Sequence, residues 1–202
     1  MMQELFEKNL THLGTPTWYS RNEEIFVEGE LATGIFKIKS GCMRTATVLS
    51  DGRRHILSFY LPGEFYGLEA GRVYSVTGES VTRCKIHMFR KNALFEAADD
   101  KIAMRLLMIA ASELSRAQKH SLLLLRGAKE RVVGFLLDMA ERQNNWQQVD
   151  LPMTRGDIAN YLGLTTETVS RMFGRLEDSA AIAIERRRVT LCDLPALKEM
   201  YK

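Results

Sequence analysis

Thr166, Glu167, Ser170 and Arg171, with Gly174 one turn on, recur at helical spacing near the end of the chain, so on a helix they share one face. Arginine can bond bidentately to guanine O6 and N7. Glutamate accepts from cytosine N4, and serine or threonine contacts either kind of base. Glu167 and Arg171 are four apart and can also hold each other in place; taken alone, the pair reads as an ordinary surface ion pair. The flanking residues change that reading. Thr154 is a good N-cap, and Asp157 three residues on completes a capping-box pattern. Gly163 can take the left-handed conformation that ends a first helix, and Thr165 caps a second, Thr166 to about Glu177. Ile158, Ala159, Leu162, Leu164, Val169 and Leu176 form the expected core. Two short helices joined by a tight glycine turn make a helix-turn-helix, whose second helix reaches base edges with its N-terminal residues. Glu167, Ser170 and Arg171 are therefore the expected base contacts, and Thr154, Thr165 and Thr166 the positioning contacts to the sugar–phosphate backbone.

A two-stranded ribbon is expected next: Ala181 to Ile184, a basic turn at Glu185 to Arg187, and Arg188 to Leu191. Arg186, Arg187 and Arg188 would contact phosphates without reading sequence; the alternative is a solvated charge cluster. Cys192 alternates with the apolar Leu191 and is expected to be accessible. Its oxidation near a DNA surface would weaken binding, against the plainer reading of a passive small residue.

The rest of the chain must position this unit. Residues from about Asp99 to Leu125 read as one helix without glycine or proline, a rod of roughly 40 Å. Leu107, Ala111, Leu114, Gln118, Ser121 and Leu125 alternate at spacings of four and three, a heptad seam suited to pairing with a second helix. The alternative is a helix packed on its own barrel, but the run Leu122 to Leu125 is apolar on every side. Before it, Ile25 to Val27, Gly34 to Ile38, Met43 to Val48, His55 to Phe59 and Val81 to Ile86 read as short strands. Glu28-Gly29, Ser40-Gly41, Asp51-Gly52 and Pro62-Gly63 punctuate them. That pattern predicts an α+β chain: an antiparallel barrel or jelly roll over 1–98, the pairing helix over 99–127 and a winged helix-turn-helix over 128–202.

Composition excludes more than it identifies. With 202 residues, 46% of them hydrophobic and 26% charged, the chain reads as globular. It has no apolar run of membrane-spanning length. Met1 to Thr15 is amphipathic and lacks a signal peptide's apolar stretch and cleavage site, so a cytoplasmic location with no membrane partner is expected. Cys42, Cys84 and Cys192 are odd in number and far apart, which argues against a disulfide framework or a metal site. The net charge is +3, yet residues from 128 on carry eleven basic and eleven acidic groups; any basic footprint must come from placement. No nucleophile–base–acid set, phosphate loop or metal spacing points to an enzyme. A ligand-gated module acting on a partner protein would not need the helix-turn-helix.

These residues carry a resemblance. Ile25 to Glu30, Gly34 to Gly41, Asp51-Gly52-Arg53 and Leu61 to Gly67 resemble the barrel of the Crp/Fnr family. Lys129 to Val132, Phe135 to Leu137, Leu151 to Arg155, Asp157 to Leu164 and Glu167 to Arg171 resemble its C-terminal half, with the FixK branch the best match. The resemblance implies a cyclic-nucleotide-binding-like β-roll, a long dimerisation helix and a winged helix-turn-helix. It further implies a homodimer on two-fold symmetric double-stranded DNA, and activation through RNA polymerase. The Glu-x-x-Ser-Arg set at Glu167, Ser170 and Arg171 resembles the Fnr and FixK pattern, which goes with TTGA half-sites and an inverted TCAA. In Crp an arginine precedes the glutamate and a glycine replaces the serine; here those positions hold Thr166 and Ser170. The reading kept beside it is a repressor, or a redox- or ligand-gated regulator whose barrel senses a small molecule. No cofactor is expected. Tyr74-Ser75 stands where cAMP binders carry Arg-Ser, and Arg116-Ala117 where they carry Thr-Ser. Cys84 aligns with the barrel cysteine of Fnr, but Met1 to Ser20 supplies no partners for an iron–sulfur cluster. Glu69 occupies the place of a haem-ligating histidine, and His12, His55, His87 and His120 read as ordinary surface or core histidines.

Overall fold

The computed structural model describes residues 14–96 and 99–202. The amphipathic reading of the N-terminus, including His12, lies outside them except at Gly14 and Thr15. The chain divides into two compact units: residues up to Thr47 with Leu57–Ala117, and Val48–Ile56 with Gln118–Lys202.

The first unit is a roll of two four-stranded sheets, ordered β1-β8-β3-β6 and β2-β7-β4-β5. The strands are β1 Gly14–Tyr19, β2 Glu24–Phe26, β3 Gly34–Ser40, β4 Met43–Val48, β5 Arg54–Tyr60, β6 Phe65–Tyr66, β7 Thr77–Ser80 and β8 Cys84–Arg90. β1 was not expected. It is an edge strand with Pro16 inside and a largely exposed face, so it lacks the apolar alternation that betrays a half-buried strand, and an edge tolerates the proline. The strand expected over Val81 to Ile86 is corrected: Val81 to Arg83 lie outside any strand, between β7 and β8. The chain changes sheets there, so its apolar pattern runs on while its ladder does not.

Between the sheets, Phe26, Phe36, Ile38, Met43, Tyr60, Tyr74 and Ile86 form one buried cluster. Phe26 stacks on Phe36 at 5.1 Å and on Tyr66 at 5.0 Å between ring centroids. A second cluster, Ile35, Phe65, Phe89, Leu94, Ile102 and Leu106, seats helix α1, Lys91–Glu96, and the start of helix α2, Asp100–Leu123.

α2 has two distinct faces. Ile102 and Leu106 are buried at its start and Leu123 at its end, with Ile109, Glu113, Arg116 and His120 part-buried between them. The seam residues Leu107, Ala111, Leu114, Gln118 and Ser121 face solvent, with Leu107 63% and Leu114 61% exposed. Leu125 is also exposed but follows the helix end, because the chain turns at Leu124. Met104, Met108 and Leu122 extend the exposed apolar surface.

The second unit holds helices α3, Ala128–Arg142, α4, Arg155–Leu162, α5, Thr166–Asp178, and α6, Leu194–Tyr201. β10, Ile182–Glu185, and β11, Arg188–Leu191, form the expected hairpin, but the ribbon is three-stranded: β9, Gln148–Asp150, adds to the far side of β11. Sequence signalled only an extended segment there, because the pairing is with residues some forty positions away. Among the described residues, no helix is long and apolar enough to cross a membrane.

Candidate nucleic-acid interface

The caps form as their residue types dictate. Thr154 Oγ1 accepts from the Asp157 amide at 3.0 Å, and the Asp157 carboxylate accepts from the Thr154 amide at 3.0 Å. Thr165 Oγ1 accepts from the Thr168 amide at 3.1 Å. Gly163 ends α4 at φ +61°, a conformation costing other residues roughly 1–2 kcal/mol.

Tertiary bonds then hold the turn. Arg131 Nη1 donates to the Leu162 carbonyl at 2.9 Å, and its Nε to the Arg126 carbonyl at 2.8 Å. His120 stacks on Tyr161 with ring centroids 4.0 Å apart, its Nε2 2.9 Å from the Tyr161 carbonyl. A carbonyl only accepts, so that nitrogen carries the proton. Burial holds the imidazole below its ordinary pKa.

α5 buries Val169, Met172, Phe173 and Leu176. That fixes the opposite face outward: Thr166, Glu167, Ser170 and Arg171 are exposed, with Gly174 part-buried beside them. The Glu167–Arg171 bond that the spacing allows is not made. Among the described residues neither side chain has a hydrogen bond or ion pair, so both are open to an outside partner. Leu164, expected in the core, is only half-buried, whereas Tyr161, Met172 and Phe173, not singled out from sequence, are buried. A Cβ added to Gly156 would lie 3.6 Å from Thr154 Oγ1 and 3.7 Å from Thr166 Oγ1. Thr154 and Thr166 thus share one patch beside two helix N-termini, where partial positive charge favours an anion. Thr165 stands between them as the cap of α5.

Arg155 was not among the expected residues. Its guanidinium lies over the Phe173 ring, 3.4 Å from the centroid, and burial lowers its pKa. It starts in the first turn of α4 and reaches across to α5, where Glu177 is the carboxylate that acts on it. Only the neighbouring threonine caps hinted at it.

The wing is a two-residue turn, with Glu185 opposite Arg188. Arg186 sits at φ +57° and is exposed with Arg187. Arg188 differs: its Nε lies 3.4 Å from the Asp150 carboxylate on β9. Cys192 is exposed just past β11.

In the first unit, a cavity of about 260 Å³ is lined by Phe65, Tyr66, Leu68, Glu69, Ile109 and Glu113, among others. Its polar groups are engaged. Tyr66 donates to Glu69, Ser75 Oγ lies 3.1 Å from the same carboxylate, and Tyr60 donates to Glu113 at 3.0 Å. Arg116 pairs with Glu64 at 3.1 Å and with Glu113. Tyr74 is buried, its hydroxyl 3.0 Å from the Gly34 amide. Cys42 and Cys84 are buried; desolvation raises the Cys84 pKa. Among the described residues no cluster of histidine, cysteine and carboxylate groups is arranged for a metal.

Residues 130–200 match the Crp-like helix-turn-helix domain, and residues 16–101 the cyclic nucleotide-binding domain. The nitrogen fixation regulation protein FixK of Azorhizobium caulinodans is 41% identical over 197 residues, covering 93% of this chain and 79% of that protein. The transcriptional activatory protein AadR of Rhodopseudomonas palustris is 36% identical, covering 94% and 81%. The solved structure of FixK2 from Bradyrhizobium japonicum superposes with a TM-score of 0.88 at 36% identity, over 94% of this chain and 98% of that one.

Proposed function

The chain belongs to the Crp/Fnr family of transcription regulators, in its FixK branch, and from that premise we propose that it pairs as a homodimer on a TTGA-type inverted repeat and activates transcription there. Each copy places α5 in one half-site. Glu167, Ser170 and Arg171 meet base edges. Thr154, Thr165 and Thr166 seat the nearer phosphates, while Arg186 and Arg187, with Arg188 behind them, seat the wing. The observation that carries this reading is the outward face of α5, where a carboxylate and a guanidinium four residues apart are exposed and, among the described residues, have no hydrogen bond or ion pair.

The dimer seam is Leu107, Ala111, Leu114, Gln118, Ser121 and Leu125. A lone chain leaves this stripe wet, which favours a second copy as its cover. AadR, 36% identical, is a transcriptional activatory protein by name; the same role here implies a further contact with RNA polymerase in the cytoplasm. Nothing in the site calls for enzyme chemistry.

We read the roll as working without cAMP, haem or an iron–sulfur cluster. The residues do not fit a cyclic phosphate. An anion brought to Glu69 and Ser75 would meet a carboxylate, and Lys91 Nζ there donates instead to the Glu69 carbonyl, at 3.1 Å. Cys84 is sealed from solvent, and Glu69 is no haem ligand.

Competition between short duplexes tests the operator assignment. A TTGA inverted repeat is expected to displace labelled operator at lower concentration than the same duplex carrying TGTGA half-sites. Equal or tighter binding to TGTGA refutes the assignment.

A further inference from the structure

α5 carries a glycine that its own fold does not explain. Gly174 lies in the helix interior, in ordinary helical geometry, and among the described residues a Cβ added there would meet nothing within 4 Å. Glycine in a helix interior is unfavourable relative to alanine, so a fold-neutral site should carry another residue. Gly134 in α3 makes the contrast: a Cβ there would come within 2.5 Å of the Tyr201 ring and 2.6 Å of Leu123, so internal packing requires that glycine.

Gly174 follows Glu167 by seven residues, Ser170 by four and Arg171 by three, which puts it on the outward face. Buried Phe173 and Leu176 hold this turn of α5 against the unit, so its backbone is rigidly presented. We propose that Gly174 is a positioning and specificity-determining residue: the missing side chain lets the second half of α5 lie directly against DNA, and this sets how deeply Glu167, Ser170 and Arg171 enter the groove. The proposal rests on the DNA-binding function above. Its chemistry is steric, since a methyl group would meet the sugar–phosphate wall or a base edge and tilt the helix outward.

The test uses the full chain with Gly174→Ala and Gly174→Leu, both better helix formers. Thermal unfolding is measured beside affinity for the TTGA inverted repeat and for a scrambled duplex at one salt concentration. Both variants are expected to melt above the parent. Operator affinity is expected to fall roughly tenfold for alanine, and for leucine to the level of the scrambled duplex, whose own binding stays unchanged. Variants that melt higher yet bind operator as tightly as the parent overturn the proposal, with the DNA-binding function intact. So does a lower melting temperature, because the glycine would then serve the fold. A parent that binds neither duplex overturns both readings.

Discussion

The outward face of α5 and the wing differ in what each residue does at rest. Glu167 and Arg171 make no hydrogen bond or ion pair among the described residues and stand in an unstrained helix, whereas Arg186 holds a left-handed conformation that ordinarily falls to glycine or asparagine. A strained residue retained on an exposed tip points to an external role for its side chain. Two substitutions separate the roles. Arg186→Gly is expected to stabilise the fold by up to about 1 kcal/mol, while weakening all duplexes alike and lowering the salt slope of binding by about one. Glu167→Ala is expected to leave stability nearly unchanged and to relax discrimination at one base position by about 1–3 kcal/mol. Denaturant melts and anisotropy titrations at several salt concentrations report both. A uniform loss from Glu167→Ala would remove it from base reading.

Among the elements, the end of α2 joins the helix-turn-helix through His120, which stacks on Tyr161 and bonds its carbonyl. Burial holds His120 below its ordinary pKa of 6.5, so the unfolded chain takes up a proton before the folded one does. Stability from the buried neutral ring is therefore complete above that value and declines as pH falls below it. Urea melts should show the decline, and His120→Gln, which keeps a donor but does not titrate, should flatten it; identical slopes in parent and variant would exclude His120 as the source. This joint was not legible in the sequence, where His120 looked like any core or surface histidine. Local chemistry was legible: Thr154 with Asp157, Thr165 and Gly163 fix α4 and α5 through contacts within four residues. Distant pairings were not. β9 joined the wing through Val149 and Val189, the Arg155–Phe173 stack crosses two helices, and exposed β1 with Pro16 has no alternation to read. The chain's change of sheet after Ser80 was hidden because Val81 stays buried while leaving its ladder. The exposure of Thr166, Glu167, Ser170 and Arg171 on α5 followed from their spacing, but the ion pair that spacing allows does not form.

At the scale of the molecule, the proposed function needs two copies. Leu107 and Leu114 are more than half exposed, and burying each would stabilise a pair by roughly 1.5–3 kcal/mol. Leu107→Glu with Leu114→Glu should leave the single chain folded, convert dimer to monomer in sedimentation, and abolish binding to the full repeat at concentrations where the parent saturates it; a double variant that remains a dimer would place the interface elsewhere. In the proposed dimer, α5 reads TTGA twice through Glu167, Ser170 and Arg171. Selection of bound duplexes from a random library by the full chain tests it most directly. The expected result is enrichment of TTGA followed, at a fixed spacing, by its inverted TCAA. Enrichment of TGTGA half-sites, or of sequences without two-fold symmetry, would contradict it.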